Sequence, residues 1–123
     1  MLSSASYRRS KAEDRLNLVF RALADPTRRA LLGSLAQGPT KVTDLAEPFK
    51  MSLPAVSKHL KVLERARLLV RDVDGRVHRC SLGAEPLREA DQWLSRYRPF
   101  WEETLDALAR YVEQDKNKQD GGR

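Results

Sequence analysis

Both histidines, the single cysteine and seven of the 23 lysines and arginines lie between Ser52 and Leu82. Three kinds of chemistry follow from such a set: metal ligation, nucleophilic catalysis and capture of a polyanion. His78 and Cys80 alternate onto one side of an extended strand, which is a ligand-like spacing, but two ligands are too few for a site. Burial of Cys80 as a small apolar residue is the stronger reading. Catalysis lacks its parts, because a nucleophile needs a base and a group that orients the base. The acids Glu102 and Glu103 fall on a solvated helix face, and Asp72 and Asp74 flank a turn. The sequence holds no Gly-rich phosphate loop either. The chain reads as a non-enzyme, with no cofactor and no metal.

Polyanion capture fits better. Ser52 is a natural N-cap and Pro54 needs no helical donor bond, so a helix is expected to start at about Leu53. With residues about 100° apart, Val56, Leu60 and Leu63 share one arc, while Pro54, Ser57, Lys58, Lys61 and Arg65 share the opposite one. One face packs and the other offers donors. His59 sits on the flank, where it can reach a phosphate or hydrogen-bond the body of the domain, and the second role is favoured. A hairpin follows, with Asp74-Gly75 as the preferred pair for a type I′ turn between Leu69–Val73 and Arg76–Leu82. That register sets Cys80 opposite Leu69, Arg76 at the tip and Arg79 further along.

These residues need elements to position them. Leu16, Val19, Phe20 and Leu23 recur at helical spacing, so a first amphipathic helix is expected over 13–24. Asp25-Pro26 reads as an N-cap and first helical residue, opening a second helix through Leu31, Leu32 and Leu35 that Gly38-Pro39 ends. A short third helix through Val42, Leu45 and Ala46 begins at Thr40 or Lys41 and is limited by Pro48. Short helix, brief turn, then a helix with a polar outer face is the spacing of a helix-turn-helix whose second helix enters the major groove. The hairpin makes it winged. Beyond it, Leu87, Ala90, Leu94, Tyr97, Trp101, Leu105, Leu108 and Val112 form a helical stripe with both tryptophans on or near it. Such a stripe calls for a helical partner, and dimerisation is the economical explanation. Pro99 leaves open a split into two shorter helices that fold back.

At 123 residues the chain is long enough for one domain with a modest core. Its charge of +6 is uneven: residues 52–82 carry seven basic side chains against three acids, whereas 83–123 carry seven against nine. The basic half is the candidate DNA surface, to which Lys41 and Arg28 also belong in sequence. One cysteine excludes an internal disulfide framework and favours a reducing, cytoplasmic setting. Arg8, Arg9 and Lys11 precede acids and not an apolar run, so no secretory signal and no membrane partner are expected. The polar segment 113–123 reads as a disordered tail.

The runs ALADPTRRALLGSLAQGP and VTDLAEPFKMSLPAVSKHLKVLERA, followed by DGRVHRCSL, resemble the ArsR/SmtB-type bacterial winged helix-turn-helix repressors over about residues 13–112. The resemblance implies a mainly α fold with a small β-hairpin, a homodimer joined through the first and last helices, and repression at a partly palindromic, sometimes autoregulatory, operator. By that resemblance, double-stranded DNA meets Ser52, Leu53, Pro54, Ser57, Lys58, His59, Lys61 and Arg65, with Lys41, Arg76 and Arg79 beside them. Dimer contacts fall to Leu16, Val19, Phe20, Leu94, Tyr97, Trp101, Leu105, Leu108 and Val112.

Many members of that family sense metal through Cys-x-Cys in the third helix or through His and carboxylate ligands in the last. Here Thr43, Asp44 and Leu45 stand near the first position without cysteine, and residues 83–112 contain no histidine. The chain therefore resembles the branch without those metal sites, and its effector stays open. Arg67 also departs, standing where the family usually has a glycine that ends the recognition helix. Alternatives to a DNA-binding regulator are a winged-helix protein-interaction module and a metal sensor with a non-standard site. The domain organisation expected is one winged domain over 1–112, including dimerisation helices over about 13–24 and 86–112.

Overall fold

The structure, a computed structural model, describes residues 10–121. Each early helix starts where side-chain chemistry can replace missing backbone partners. Helix α1 (Lys11–Leu23) is capped by Ser10, whose hydroxyl accepts the Glu13 N–H at 3.1 Å. Helix α2 (Pro26–Leu35) is capped by the Asp25 carboxylate, which accepts the Arg28 N–H at 3.0 Å. A two-residue strand, β1 (Thr40–Lys41), runs directly into the short helix α3 (Val42–Ala46). Helix α4 (Leu53–Arg65) then follows the Ser52 cap, with the Ser52 hydroxyl accepting the Ala55 N–H at 3.3 Å. This is the helix start expected from Ser52 and Pro54.

Strands β2 (Leu69–Asp74) and β3 (Val77–Leu82) form the hairpin, and β1 adds to its far side, giving the order β1-β3-β2, all antiparallel. The turn differs from the expected one. Asp74 pairs with Val77, so the two turn residues are Gly75 and Arg76, and only Gly75 has a positive φ, at 61°. A positive φ at the first central residue alone is the sign pattern of a type II′ turn, which also demands glycine there. Cys80 therefore pairs with Arg71, not with Leu69, which faces Leu82. The register moves by two residues, so every side chain keeps its expected face. Cys80 is fully buried, as its apolar reading required.

The core gathers Val19 and Ala22 from α1, Leu31, Leu32 and Leu35 from α2, and Leu45 from α3 around Val56, Leu60 and Leu63 of α4. Leu68, Leu69 and Cys80 close it from the sheet. Full burial of a leucine stabilises by roughly 1.5–3 kcal/mol relative to exposure. The face of α4 that bears Val56, Leu60 and Leu63 is thus fixed, and its opposite face is forced outward.

Helix α4 ends in a Schellman arrangement. Arg67 has φ 60°, the Leu68 N–H donates to the Leu63 carbonyl at 3.0 Å, and the Arg67 N–H donates to the Glu64 carbonyl at 2.9 Å. Among the described residues Arg67 is the one non-glycine with positive φ. At the other end of the wing, the Gly83 N–H donates to the Leu68 carbonyl at 2.8 Å. A Cβ on Gly83 would collide with the Arg67 carbonyl oxygen.

The chain divides into two compact units, Met1–Ala90 and Asp91–Arg123, with the boundary inside helix α5 (Ala84–Ser95). In the first unit Ala90 joins the core and Glu89 accepts from the Arg15 guanidinium of α1 at 3.3 Å. In the second, Arg96 and Tyr97 interrupt the helix and α6 (Arg98–Gly121) begins afresh, with Pro99 in its first turn. Pro99 lacks a donor that the first turn does not use. The stripe is therefore split between two helices, and α6 continues through the segment 113–121, where the composition pointed to a disordered tail.

Candidate nucleic-acid interface

The outward face of α4 carries the expected residues. Ser52, Leu53, Pro54, Lys58, Lys61 and Arg65 are exposed, Ser57 is half-buried, and Leu53 reaches 62% exposure. Lys58, Lys61 and Arg65 make no ion pair among the described residues, so their charges are available to an external anion. An uncommitted cation on a rigid helix is suited to phosphate attraction, and Ser57 offers both a donor and an acceptor to a base edge. Leu53 and Pro54 offer apolar contact of the kind a thymine methyl accepts.

His59 is turned the other way. Its Nδ1 lies 3.3 Å from the Arg28 guanidinium and 3.8 Å from Asp25 Oδ2, and its side chain is 19% exposed. The ring ties α4 to the start of α2, which corrects its inclusion among the DNA contacts and supports its structural role. Arg28 is corrected with it. Its guanidinium donates to the carbonyls of Ala22 at 2.7 Å and Arg21 at 2.9 Å, closing the end of α1 instead of facing solvent. Arg29 does the same for Leu23 at 2.6 Å. Cations at a helix C-terminus satisfy its free carbonyls and oppose its dipole. The Arg28 N–H bonded to Asp25 holds its carboxyl below the usual range against the opposing effect of burial, and the electrostatic influence of Arg28 and His59 adds to the lowering.

The wing presents two unlike faces. Lys41, Arg79 and Asp72 lie side by side across the sheet, with Asp74 and Val77 beyond them, around a cleft of about 450 Å³. Arg79 thus shares its face with two acids, which weakens the case for it as a phosphate contact. The other face carries Arg71 and His78. Arg71 Nη2 donates to Glu64 Oε1 of α4 at 2.6 Å and Nη1 lies 3.5 Å from His78 Nδ1, while the buried Nε has no partner. This residue joins the wing to the end of α4, and the sequence offered no sign of it, since Glu64 and Arg71 become neighbours only once the hairpin folds back. Cys80 lies on the same face, where burial pushes its thiol up, Arg71 lowers it and Glu64 raises it. Full burial also withdraws Cys80 from the ligand pair that His78, which is exposed, appeared to offer.

The proposed dimer residues divide. Val19 is 1% exposed and belongs to the core, so it is withdrawn as a contact; Leu16 and Phe20 are half-buried against that core. In the second unit, Leu94, Tyr97, Trp101, Leu105, Leu108 and Val112 are all exposed, between 40% and 58%. Tyr97 stacks at an angle between Trp93, with centroids 5.2 Å apart, and Phe100, at 6.5 Å.

The segment from the start of α2 through the recognition helix to the first residues of β2, residues 25–70, matches the family described as bacterial regulatory protein, arsR family. The chain is 38% identical over 96 residues to the HTH-type transcriptional regulator Rv2034 of Mycobacterium tuberculosis, covering 78% of this chain and 87% of that one. The chain belongs to the ArsR family. This ArsR-family protein is also 35% identical to the transcriptional repressor SdpR of Bacillus subtilis, over 64% of its own length and 88% of that protein's. Among solved structures, it is similar to an ArsR family transcriptional regulator at 44% identity and a TM-score of 0.67, covering 72% of this chain and 92% of the other. An ArsR-like regulator from Rhodococcus sp. RHA1 aligns at 27% identity and a TM-score of 0.64, over 83% and 96% of the two chains. The two relatives SdpR and Rv2034 are a transcriptional repressor and an HTH-type transcriptional regulator. Among the described residues no helix is long and apolar enough to cross a membrane.

Proposed function

We propose that the protein is a homodimeric, DNA-binding repressor of the cytoplasm that places α4 of each copy in successive major grooves of a partly palindromic operator, with its own promoter among its targets. The observation that carries this reading is the pair of unlike faces of α4: Val56, Leu60 and Leu63 sealed in the core, and Lys58, Lys61 and Arg65 exposed and uncommitted opposite them. Packing fixes the helix, and the fixed helix presents its cations and Ser57 outward. Phosphate contacts then set register and make affinity fall steeply with salt, while base contacts supply sequence choice. The apolar stripe of the second unit gives two copies a reason to associate, and the names of the relatives SdpR and Rv2034 point to repression and regulation of transcription.

A mobility-shift assay with the DNA upstream of the protein's own gene, run at two salt concentrations, tests the reading. Binding should weaken with salt, and Lys58→Ala and Arg76→Ala should each weaken it further and flatten the salt dependence by about one unit of slope. Equal, weak binding to any DNA, or none, would instead favour a protein-interaction module.

A further inference from the structure

The two clefts that flank the wing differ in sign. The one on the Arg79 face is lined by both acids and bases. The other cleft, between the wing and the start of α3, has a volume of about 470 Å³; Lys41 and Val77 border it as they border the first, and Val42, Thr43, Arg71, Arg76 and His78 complete its lining. No carboxylate lines it. Lys41 and Arg76 make no ion pair among the described residues, and Arg71 is only partly committed, to Glu64 through Nη2. A concave site with three permanent cations, an imidazole, a hydroxyl and no acid is suited to an oxyanion, and guanidinium groups suit a phosphate in particular.

We propose that this cleft seats a backbone phosphate of the DNA strand bordering the groove that α4 enters, with Arg71 as a contact beyond those on α4 and at the wing tip. The proposal rests on the DNA-binding reading. It gives Arg71 two tasks: it braces the wing against Glu64 and lends its charge to the phosphate. Free inorganic phosphate has the same chemistry and is the other source the site could draw on.

The test compares full-length wild type with Arg71→Met and Glu64→Gln on the upstream DNA, as affinity against salt concentration, after thermal melting confirms that all three fold. Glu64→Gln breaks the brace but leaves the cation. The expected result is that Arg71→Met weakens binding to all sequences alike and lowers the salt slope by about one unit, while Glu64→Gln leaves the slope unchanged. Ethylation of one backbone phosphate should block wild type and have no further effect on Arg71→Met. Equal losses in both variants with unchanged slopes would overturn the proposal and leave Arg71 a brace only. If wild type binds no DNA, the DNA-binding reading fails by itself, and inorganic phosphate titrated against the His78 ring resonances decides the cleft. A saturable shift that Arg71→Met abolishes would uphold an oxyanion site fed by free phosphate, and no shift would overturn it.

Discussion

Arg67 holds a backbone conformation that costs an L-residue roughly 1 kcal/mol relative to glycine, and it does so to complete the hydrogen bonds that end α4. Arg67→Gly should therefore raise the melting temperature by about 4 °C, checked by calorimetry, and a fall would mean that the arginine side chain stabilises more than its backbone costs. Asp25 makes a prediction of opposite character. Its carboxyl titrates below the usual range in the folded chain because it accepts the Arg28 N–H beside Arg28 and His59. A depressed folded pKa contributes stability that is complete above the unfolded value of about 3.9 and is lost as pH falls through the folded one. Wild type should melt above Asp25→Ala near neutral pH, and the gap should narrow below about pH 4. A gap independent of pH would show that the charge of Asp25 is immaterial to the cap.

At the scale of elements, Gly83 and Gly75 are constrained for different reasons. Gly75 supplies the positive φ of the turn, whereas Gly83 is held by proximity, since any Cβ would strike the Arg67 carbonyl. Gly83→Ala should destabilise by roughly 1–3 kcal/mol in a denaturant titration, with the wing's amide protons losing exchange protection first. Much of this architecture was legible in the sequence because it is local: Ser52 and Asp25 cap the helices they were expected to cap, and Val56, Leu60 and Leu63 take the buried arc. What escaped depends on distant partners. Thr40 and Lys41 carry no alternation of their own and become a strand only by pairing with Cys80 and Arg79. The turn slipped because Asp74-Gly75 and Gly75-Arg76 both offer a glycine, and pairing of Leu69 with Leu82 decides between them. His59 and Val19 sit on helix flanks, where periodicity alone cannot say which side the rest of the fold will cover.

For the molecule as a whole, the apolar residues of α6 are the feature most in need of a second copy. Leu105 is 58% exposed and Leu108 and Val112 57% each, one turn apart along the helix. Light scattering should return twice the 14.0 kDa chain mass, and Leu105→Glu should return a single chain whose operator affinity falls on the order of a hundredfold, because a lone half-site loses its effective concentration. A wild-type monomer at micromolar concentration would remove the dimer. The hydrogen bond from Gly83 to Leu68 has a wider meaning for how such a protein can change. It closes the wing at its base, so the chain leaves the body and returns to nearly the same point. Residues added or removed at Gly75-Arg76 then alter only the reach of a closed excursion, at a loop-closure cost that grows slowly with length. The wing is in this sense an interchangeable fitting: its tip can be redrawn for a different stretch of DNA while the core that aims α4 stays as it is.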